Sequence, residues 1–173
     1  MYQYDLGILQ TRLENRSYTR KVASLSPTPV ELSSKSEYAL LALLELGRGF
    51  ASGEPMQIRQ IAAQQNIPDR YLEQLLATLR RAGFVKSQRG AKGGYLLARS
   101  PWQITLYEII SCIEGFDVTK EAATTPQTSE GAVIAEAWEA ARQAAKDVLC
   151  KQTLQDLLDQ CKAKQQVDLM YYI

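Results

Sequence analysis

The sequence of 173 residues predicts a mainly α-helical protein with one small β-hairpin. Apolar residues recur at spacings of three and four in several segments, which is the pattern of amphipathic helices. Two short β-prone runs flank a glycine-rich turn near the middle of the chain. Apolar residues make up 46% and charged residues 23% of the chain, which excludes the disordered and collagen-like classes.

Two core helices are predicted first. The first runs from Ser34 to Leu46, with Ser34 or Ser36 as its N-cap and Gly47 as its stop. The second is short and places three apolar residues on one side: Ile58, Ile61 and Ala62.

A third helix is predicted to begin at Asp69, which acts as its N-cap, because Pro68 keeps the second helix from continuing. Gly83 ends it. Its apolar stripe consists of Leu72, Leu75, Leu76 and Leu79. At about 100° per residue the opposite side is polar, and it carries Arg70, Glu73, Gln74, Ala77 and Arg81, with Tyr71 and Arg80 on the flanks.

The hairpin is predicted from the runs FVKSQ and YLLAR on either side of RGAKGG. Helix, turn, helix and hairpin is the element order of a winged helix-turn-helix, in which the hairpin is the wing. Glycines in the turn permit positive φ and a close approach to phosphates or a minor groove. The alternative for this turn by itself is an ordinary hairpin.

A short helix capped by Thr105 and a long alanine-rich helix over residues 131–149 are predicted in the C-terminal third. The long helix has an apolar stripe that either packs within its own chain or forms a dimer interface, and we favour the dimer. The stripe consists of Val133, Ile134, Ala137, Trp138, Ala141, Ala145 and Val148. The tail over residues 153–173 is expected to form a last helix that ends in an apolar strand or lid.

The predicted organisation has three parts. Residues 1–30 form an N-terminal arm and a serine- and proline-containing linker, and residues 31–100 form the winged helix-turn-helix. Residues 101–173 form a helical region for dimerisation and possible sensing. A homodimer with twofold symmetry would place two third helices about 34 Å apart, one turn of DNA.

Charge is distributed unevenly along the chain, although the net charge is only +1. Residues 1–30 carry four Lys and Arg against two Asp and Glu, residues 31–100 carry ten against six, and residues 101–173 carry six against eleven. The local charges are therefore +2, +4 and −5. A basic run without acidic residues is formed by Arg80, Arg81, Lys86, Arg89, Lys92 and Arg99. This pattern is typical of a nucleic-acid-binding domain, and the alternative is an ordinary solvated basic face.

Double-stranded DNA is therefore the predicted partner, with the third helix in the major groove and the hairpin turn at phosphates or a minor groove. The candidate DNA-binding residues are Arg59, Arg70, Tyr71, Glu73, Gln74, Arg80, Arg81, Arg89, Gly90, Lys92, Gly93, Gly94 and Tyr95.

An enzyme is not expected, because the chain has no histidine and offers no evident nucleophile and base pair. No metal site or cofactor is predicted either. Cys112, Cys150 and Cys161 are candidate metal ligands only in an unusual arrangement, and a buried structural role is the default for Cys112. On one continuous helix Cys150 and Cys161 would stand about 16 Å apart, whereas a break near Thr153 or a partner subunit would change that distance.

The cysteine usage and the absence of a secretory signal indicate a soluble cytoplasmic protein. Its longest apolar run, Tyr38 to Leu44, is far shorter than the ~20 residues that span a bilayer, so no membrane partner is expected.

The segments LSSKSEYALLALLELG, IRQIAAQQNIPDRYLEQLLATLRRAGFVKSQRGAKGGYLLAR and ITLYEIISCIEG resemble the Rrf2 family of bacterial transcriptional regulators. The resemblance covers Leu32 to Gly115. It implies a homodimeric winged-helix repressor or activator that binds a dyad operator. It also implies that Tyr71, Glu73, Gln74, Arg89 and the wing glycines lie at the DNA.

The sequence departs from the family pattern at two places. Many members carry three closely spaced cysteines that hold an iron–sulfur cluster just after the position of Gly115, whereas FDVTKEAATTPQTSE here contains none. The chain also begins well before Leu32, with a leader that is either an arm or the product of an upstream start codon. Two other functions stay open: a protein-interaction adaptor on a winged-helix scaffold, and a redox or iron–sulfur sensor with non-standard ligands.

Overall fold

The computed structural model describes residues 32–90, 93–115 and 128–170, with side chains up to residue 166. The predicted arm and linker over residues 1–30 and the end of the tail lie outside these ranges. The elements in chain order are α1 (Ser34–Arg48), α2 (Ile58–Gln65), α3 (Asp69–Arg81), β1 (Val85–Gln88), β2 (Gly94–Leu97), a 3-10 turn (Pro101–Gln103), α4 (Leu106–Glu114), α5 (Ser129–Lys151) and α6 (Leu154–Met170). The mainly helical fold with a small hairpin is therefore confirmed.

The N-cap of α1 is Ser33, so the predictions of Ser34 and Ser36 were wrong. The Ser33 hydroxyl accepts a hydrogen bond from the Ser36 N–H at 3.2 Å. The Ser36 hydroxyl is buried and donates instead to Glu114 Oε1 at 2.6 Å, at the end of α4. The contact with Glu114 occupies the Ser36 hydroxyl, and the local sequence of α1 does not reveal this contact.

Gly47 does not end α1, which continues to Arg48 with Gly49 as its C-cap. Gly47 is buried against Leu158 of α6, and a Cβ there would lie 2.8 Å from Leu158 Cδ1. The glycine allows α6 to pack closely on α1.

The turn between α2 and α3 is formed by Asn66, Ile67 and Pro68. Asn66 adopts a left-handed conformation with φ of 52°, and the Ile67 side chain is buried in the core. Pro68 occupies the N-cap position of α3, so Asp69 is the first helical residue and not the predicted cap. Its carboxylate still lies in the first turn, where the helix dipole favours negative charge.

The hairpin pairs β1 with β2 in antiparallel register, from Val85 opposite Leu97 to Gln88 opposite Gly94. One residue from the α1–α2 connection extends it. The Tyr95 N–H donates to the Met56 carbonyl at 2.8 Å, and the Met56 N–H donates to the Tyr95 carbonyl at 3.0 Å. This bridge ties the hairpin to the helical part.

A single core joins the elements on both sides of residue 100. Ile104, Ile109 and Leu154 are fully buried in the same cluster as the leucines of α1 and α3. The core therefore contains residues from both predicted parts, 31–100 and 101–173. The division between these parts stays a prediction about their functions.

Two matching caps hold the start of α4 beside the start of α6. Thr105 and Glu108 form a capping box at α4, which confirms Thr105 as its N-cap. At α6, the Thr153 N–H donates to the Asp156 carboxylate at 2.8 Å. The Leu106 N–H donates to the Gln152 carbonyl at 2.9 Å and the Leu154 N–H to the Ile104 carbonyl at 2.8 Å. The chain thus breaks between α5 and α6 at the point where it returns to the core.

The long helix α5 has no buried residue over its entire length. Its contact with the core is to α4, where Lys146 Nζ lies 5.4 Å from the centre of the Tyr107 ring. None of the helices in the described ranges is long and apolar enough to cross a membrane.

Candidate nucleic-acid interface

The third helix buries its leucine stripe and exposes its polar side. Leu72, Leu75, Leu76 and Leu79 are all buried. The side chains of Arg70, Glu73, Gln74 and Arg81 are exposed on the opposite side. Since α3 rises 1.5 Å per residue, this polar side extends about 16 Å from Arg70 to Arg81. A helix of this length fits the major groove of DNA.

Tyr71 lies on the flank of α3 and is half-buried. Its ring meets the ring of Tyr38 from α1 edge to face, with centroids 5.7 Å apart and planes at 81°. This packing restricts the Tyr71 side chain, so its position relative to the exposed side of α3 is fixed by α1.

The C-terminal end of α3 adjoins the hairpin. Arg80 Nη1 donates a hydrogen bond to Ser87 Oγ of β1 at 3.4 Å, and Arg81 Nη2 donates to Thr78 Oγ1 at 3.2 Å. Arg80 and Arg81 are exposed, as are Lys86 on β1 and Arg89 after it. The structure therefore brings the end of α3 and the start of the wing into one basic surface.

The wing turn requires its glycines for backbone reasons. Gly90 has a φ of 115°, and its carbonyl accepts a hydrogen bond from the Gly93 N–H at 2.9 Å. A Cβ on Gly93 would lie 2.5 Å from the Gln88 carbonyl oxygen. Lys92, another predicted DNA contact, lies outside the described residues.

Gly94 and Tyr95, two predicted DNA-binding residues of the wing, also contribute to the packing of the hairpin. A Cβ on Gly94 would lie 2.5 Å from the Met56 carbonyl oxygen, so glycine allows the close approach of β2 to the Met56 backbone. Tyr95 supplies both backbone hydrogen bonds of the Met56 bridge, and its side chain packs against the core. Their part in DNA binding stays a prediction.

The predicted basic run separates into two groups. Arg99 forms an ion pair with Glu108 at 3.1 Å and stacks on the Phe84 ring at 4.8 Å. Within the described ranges no ion pair involves Arg70, Arg80, Arg81, Lys86 or Arg89, and Arg59 on α2 is likewise exposed. Arg99 therefore holds the hairpin to α4, whereas the other cations face solvent.

The cysteines are dispersed over three helices. Cys112 on α4 is half-buried, and desolvation raises the pKa of its thiol against the opposing charge of Arg81. Cys150 is exposed near the end of α5, and Cys161 is half-buried on α6 beyond the break. Among the described residues, no three His, Cys, Asp or Glu side chains are grouped so as to hold a metal ion. Within the described part of one chain, the three thiols therefore do not form one group of ligands.

Sequence reasoning missed the polar residues of α1 that hold the helix-turn-helix. Glu45 is only 2% exposed, and its carboxylate pairs with Arg48 Nη1 at 2.6 Å and accepts a hydrogen bond from Gln65 Nε2. The position of Glu45 among the apolar residues of α1 could have indicated that it is buried. Residue spacing along α1 could not have identified Gln65 of α2 as its partner.

A winged helix with an exposed polar third helix and a basic wing defines a DNA-binding transcriptional regulator. The chain belongs to the Rrf2 family, whose sequence profile, described as "Iron-dependent Transcriptional regulator", matches residues 32–160. The HTH-type transcriptional regulator CymR of Bacillus subtilis is 36% identical over 142 residues, which cover 82% of this chain and 99% of CymR.

Solved structures are similar over the same region. The structure named T. potens IscR has a TM-score of 0.66 and 34% identity, and the match covers 79% of this chain and 92% of that one. CymR of B. subtilis, described as the global cysteine regulator, has a TM-score of 0.65 and 37% identity, and covers 75% and 97% of the two chains. The predicted fold, family and function as a DNA-binding regulator are confirmed, and the protein is not an enzyme.

Proposed function

We propose that the protein binds a dyad operator as a homodimer and regulates transcription from it. The single observation that carries the proposal is the exposed polar side of α3, continuous at its C-terminal end with the basic start of the wing. Glu73 and Gln74 lie among the side chains that read base edges in the major groove. Arg80, Arg81 and Arg89 bind the phosphate backbone, which positions the protein and supplies salt-dependent affinity.

Dimerisation through α5 is supported by its exposed apolar side chains. Val133, Ile134, Trp138 and Val148 are each about 60–70% exposed, and they belong to the stripe whose small members are Ala137, Ala141 and Ala145. Large apolar side chains grouped on one helix mark an interaction surface. A second copy of α5 covers it in the proposed dimer, and the alanines allow the two helices to approach closely.

The regulator acts in the bacterial cytoplasm, where its DNA is. We expect its effector to differ from a cluster held by Cys112, Cys150 and Cys161 of one chain, because the described residues contain no grouped set of metal ligands.

Selection of bound DNA from a random pool tests the proposal and supplies the operator. We expect the enriched sites to be inverted repeats with half-sites about one helical turn apart. Affinity for the selected site should fall steeply with salt, and Arg89→Ala should reduce the slope of log K against log salt by about one.

Lys162→Ala is the matched control, because it removes the same charge from α6, which packs against α1. It should leave the slope unchanged. Enrichment without any repeat, or binding that ignores salt, would contradict the proposal and favour an adaptor that binds a protein partner.

A further inference from the structure

Two side chains on one side of α1 each contact one helix of the helix-turn-helix. Tyr38 and Glu45 are seven residues apart, so they lie nearly on the same side of α1 and about 10.5 Å apart along its axis. The Tyr38 ring meets Tyr71 in the first turn of α3. The Glu45 carboxylate accepts a hydrogen bond from Gln65, the last residue of α2. The two contacts therefore lie on either side of the turn that joins α2 to α3.

Glu45 is an unusual residue for this position, because burial of a carboxylate is costly unless it is paired. Both of its partners, Arg48 Nη1 and Gln65 Nε2, contact the same oxygen, Oε1. The Arg48 side chain is 44% exposed, and an ion pair that solvent reaches on one side contributes little to stability. The hydrogen bond from Gln65 is the contact that connects this carboxylate to α2.

We propose that Tyr38 and Glu45 are positioning residues for DNA recognition. They fix the angle between α2 and α3, and thereby the place of the α3 side chains in the groove, without touching DNA themselves. The inference rests on the proposed function, since it assumes that the exposed side of α3 reads the operator.

The geometry of α3 explains why the angle matters. Gln74 lies about 9 Å along α3 from Pro68, so a tilt of about 10° at the turn displaces it by about 1.6 Å. Hydrogen bonds to base edges do not survive such a displacement, because they require donor–acceptor distances near 2.9 Å. Long basic side chains that contact phosphates adjust to it. Loss of positioning should therefore reduce operator affinity more than nonspecific affinity.

Glu45→Met tests the contact between Glu45 and Gln65, since it removes the acceptor and provides an apolar side chain of similar length. We expect affinity for the selected operator to fall about tenfold and nonspecific affinity to change less than about twofold. The melting temperature should stay within about 5 °C of the wild type. Glu45→Gln retains an acceptor for Gln65 and should restore operator affinity. Arg48→Ala leaves the Gln65 contact in place and should bind the operator normally.

Tyr38→Leu and Tyr38→Phe test the contact between Tyr38 and Tyr71. Phenylalanine keeps the ring edge against Tyr71 and should preserve operator affinity, whereas leucine should lower it with nonspecific affinity unchanged. This pair decides the matter if Glu45→Met does not fold.

Two results separate failure of the inference from failure of the proposed function. If Gln74→Ala and Arg89→Ala weaken operator binding but Tyr38→Leu and Glu45→Met do not, the positioning role is wrong and the interface stands. If Gln74→Ala and Arg89→Ala have no effect, the proposed interface itself is wrong. A parallel fall in operator affinity, nonspecific affinity and melting temperature would show a purely structural role and overturn the inference.

Discussion

Gly94 illustrates how a single residue of the wing is determined by packing. The Met56 carbonyl oxygen would lie 2.5 Å from a Cβ at this position, and the contacted atom belongs to the backbone, which cannot rotate away. Gly94→Ala should therefore lower the free energy of unfolding by about 1–3 kcal/mol, the usual cost of overpacking. Urea denaturation measures it.

Gly49→Ala is the matched control for this prediction. Gly49 has a φ of −87°, and the nearest atom to its added Cβ would be 3.8 Å away. The change should alter the free energy of unfolding by no more than about 0.5 kcal/mol. Equal effects at the two glycines would show that the close approach of Gly94 to Met56 does not determine the loss of stability.

The three cysteines give a second prediction at the residue scale. Protein purified without oxygen should be colourless and contain less than stoichiometric iron and sulfide, because Cys112, Cys150 and Cys161 lie on α4, α5 and α6 and no metal-holding group is found in the described ranges. Iron and sulfide analysis with an absorption spectrum measures this. Stoichiometric iron and sulfide that disappear in a triple Cys→Ser variant would refute it.

At the scale of the helices, Glu108 at the start of α4 and Glu114 at its end each accept stabilising hydrogen bonds. Burial alone would raise the pKa of Glu108, but hydrogen bonds from Thr105 and Arg99 outweigh it and lower the pKa below the ordinary 4.5. Hydrogen bonds from Ser33 and then Ser36 lower the pKa of Glu114. Both groups therefore bind protons more weakly in the folded protein than in the unfolded chain.

The pH dependence of stability follows from these lowered pKa values. The stabilisation is fully present above the ordinary pKa of 4.5 and is lost as pH falls through the lowered folded-state values. A Glu108→Gln, Glu114→Gln variant should thus be less stable than the wild type near neutral pH, with a difference that shrinks as the solution is acidified. Urea midpoints at several pH values measure this, and a difference independent of pH would contradict the assignment.

The helices that position the site were predictable where local pattern decides them. The leucine period of α3 and the Thr105 cap depend on neighbours within a few residues, and both were read correctly. The contacts of Ser36 with Glu114 and of Gly47 with Leu158 join α1 to α4 and α6, which are distant in sequence. The same holds for the pairing of Glu45 with Gln65, because spacing along one helix does not reveal which side chain of another helix it meets.

For the whole molecule, the two tryptophans provide a matched test of dimerisation. Trp138 on α5 is 59% exposed and Trp102 on the 3-10 turn is 61% exposed. Trp138→Glu places a charge in the proposed interface and should weaken the dimer at least about a hundredfold, because buried tryptophans dominate interface energies. Sedimentation equilibrium measures it.

Trp102→Glu makes the same chemical change away from α5 and should leave the dimer intact. A wild-type protein that sediments as a monomer, or equal weakening by both substitutions, would rule out α5 as the interface. Trp138→Glu should also reduce operator affinity, because a monomer contacts one half-site.

Since α5 has no fully buried residue, substitutions on its exposed side carry little penalty for the folding of a single copy. In the proposed dimer, the choice of partner can therefore change in evolution while the helix-turn-helix stays the same. After gene duplication, a few changes on this one helix would be enough to keep two related regulators in the same cell from forming mixed pairs.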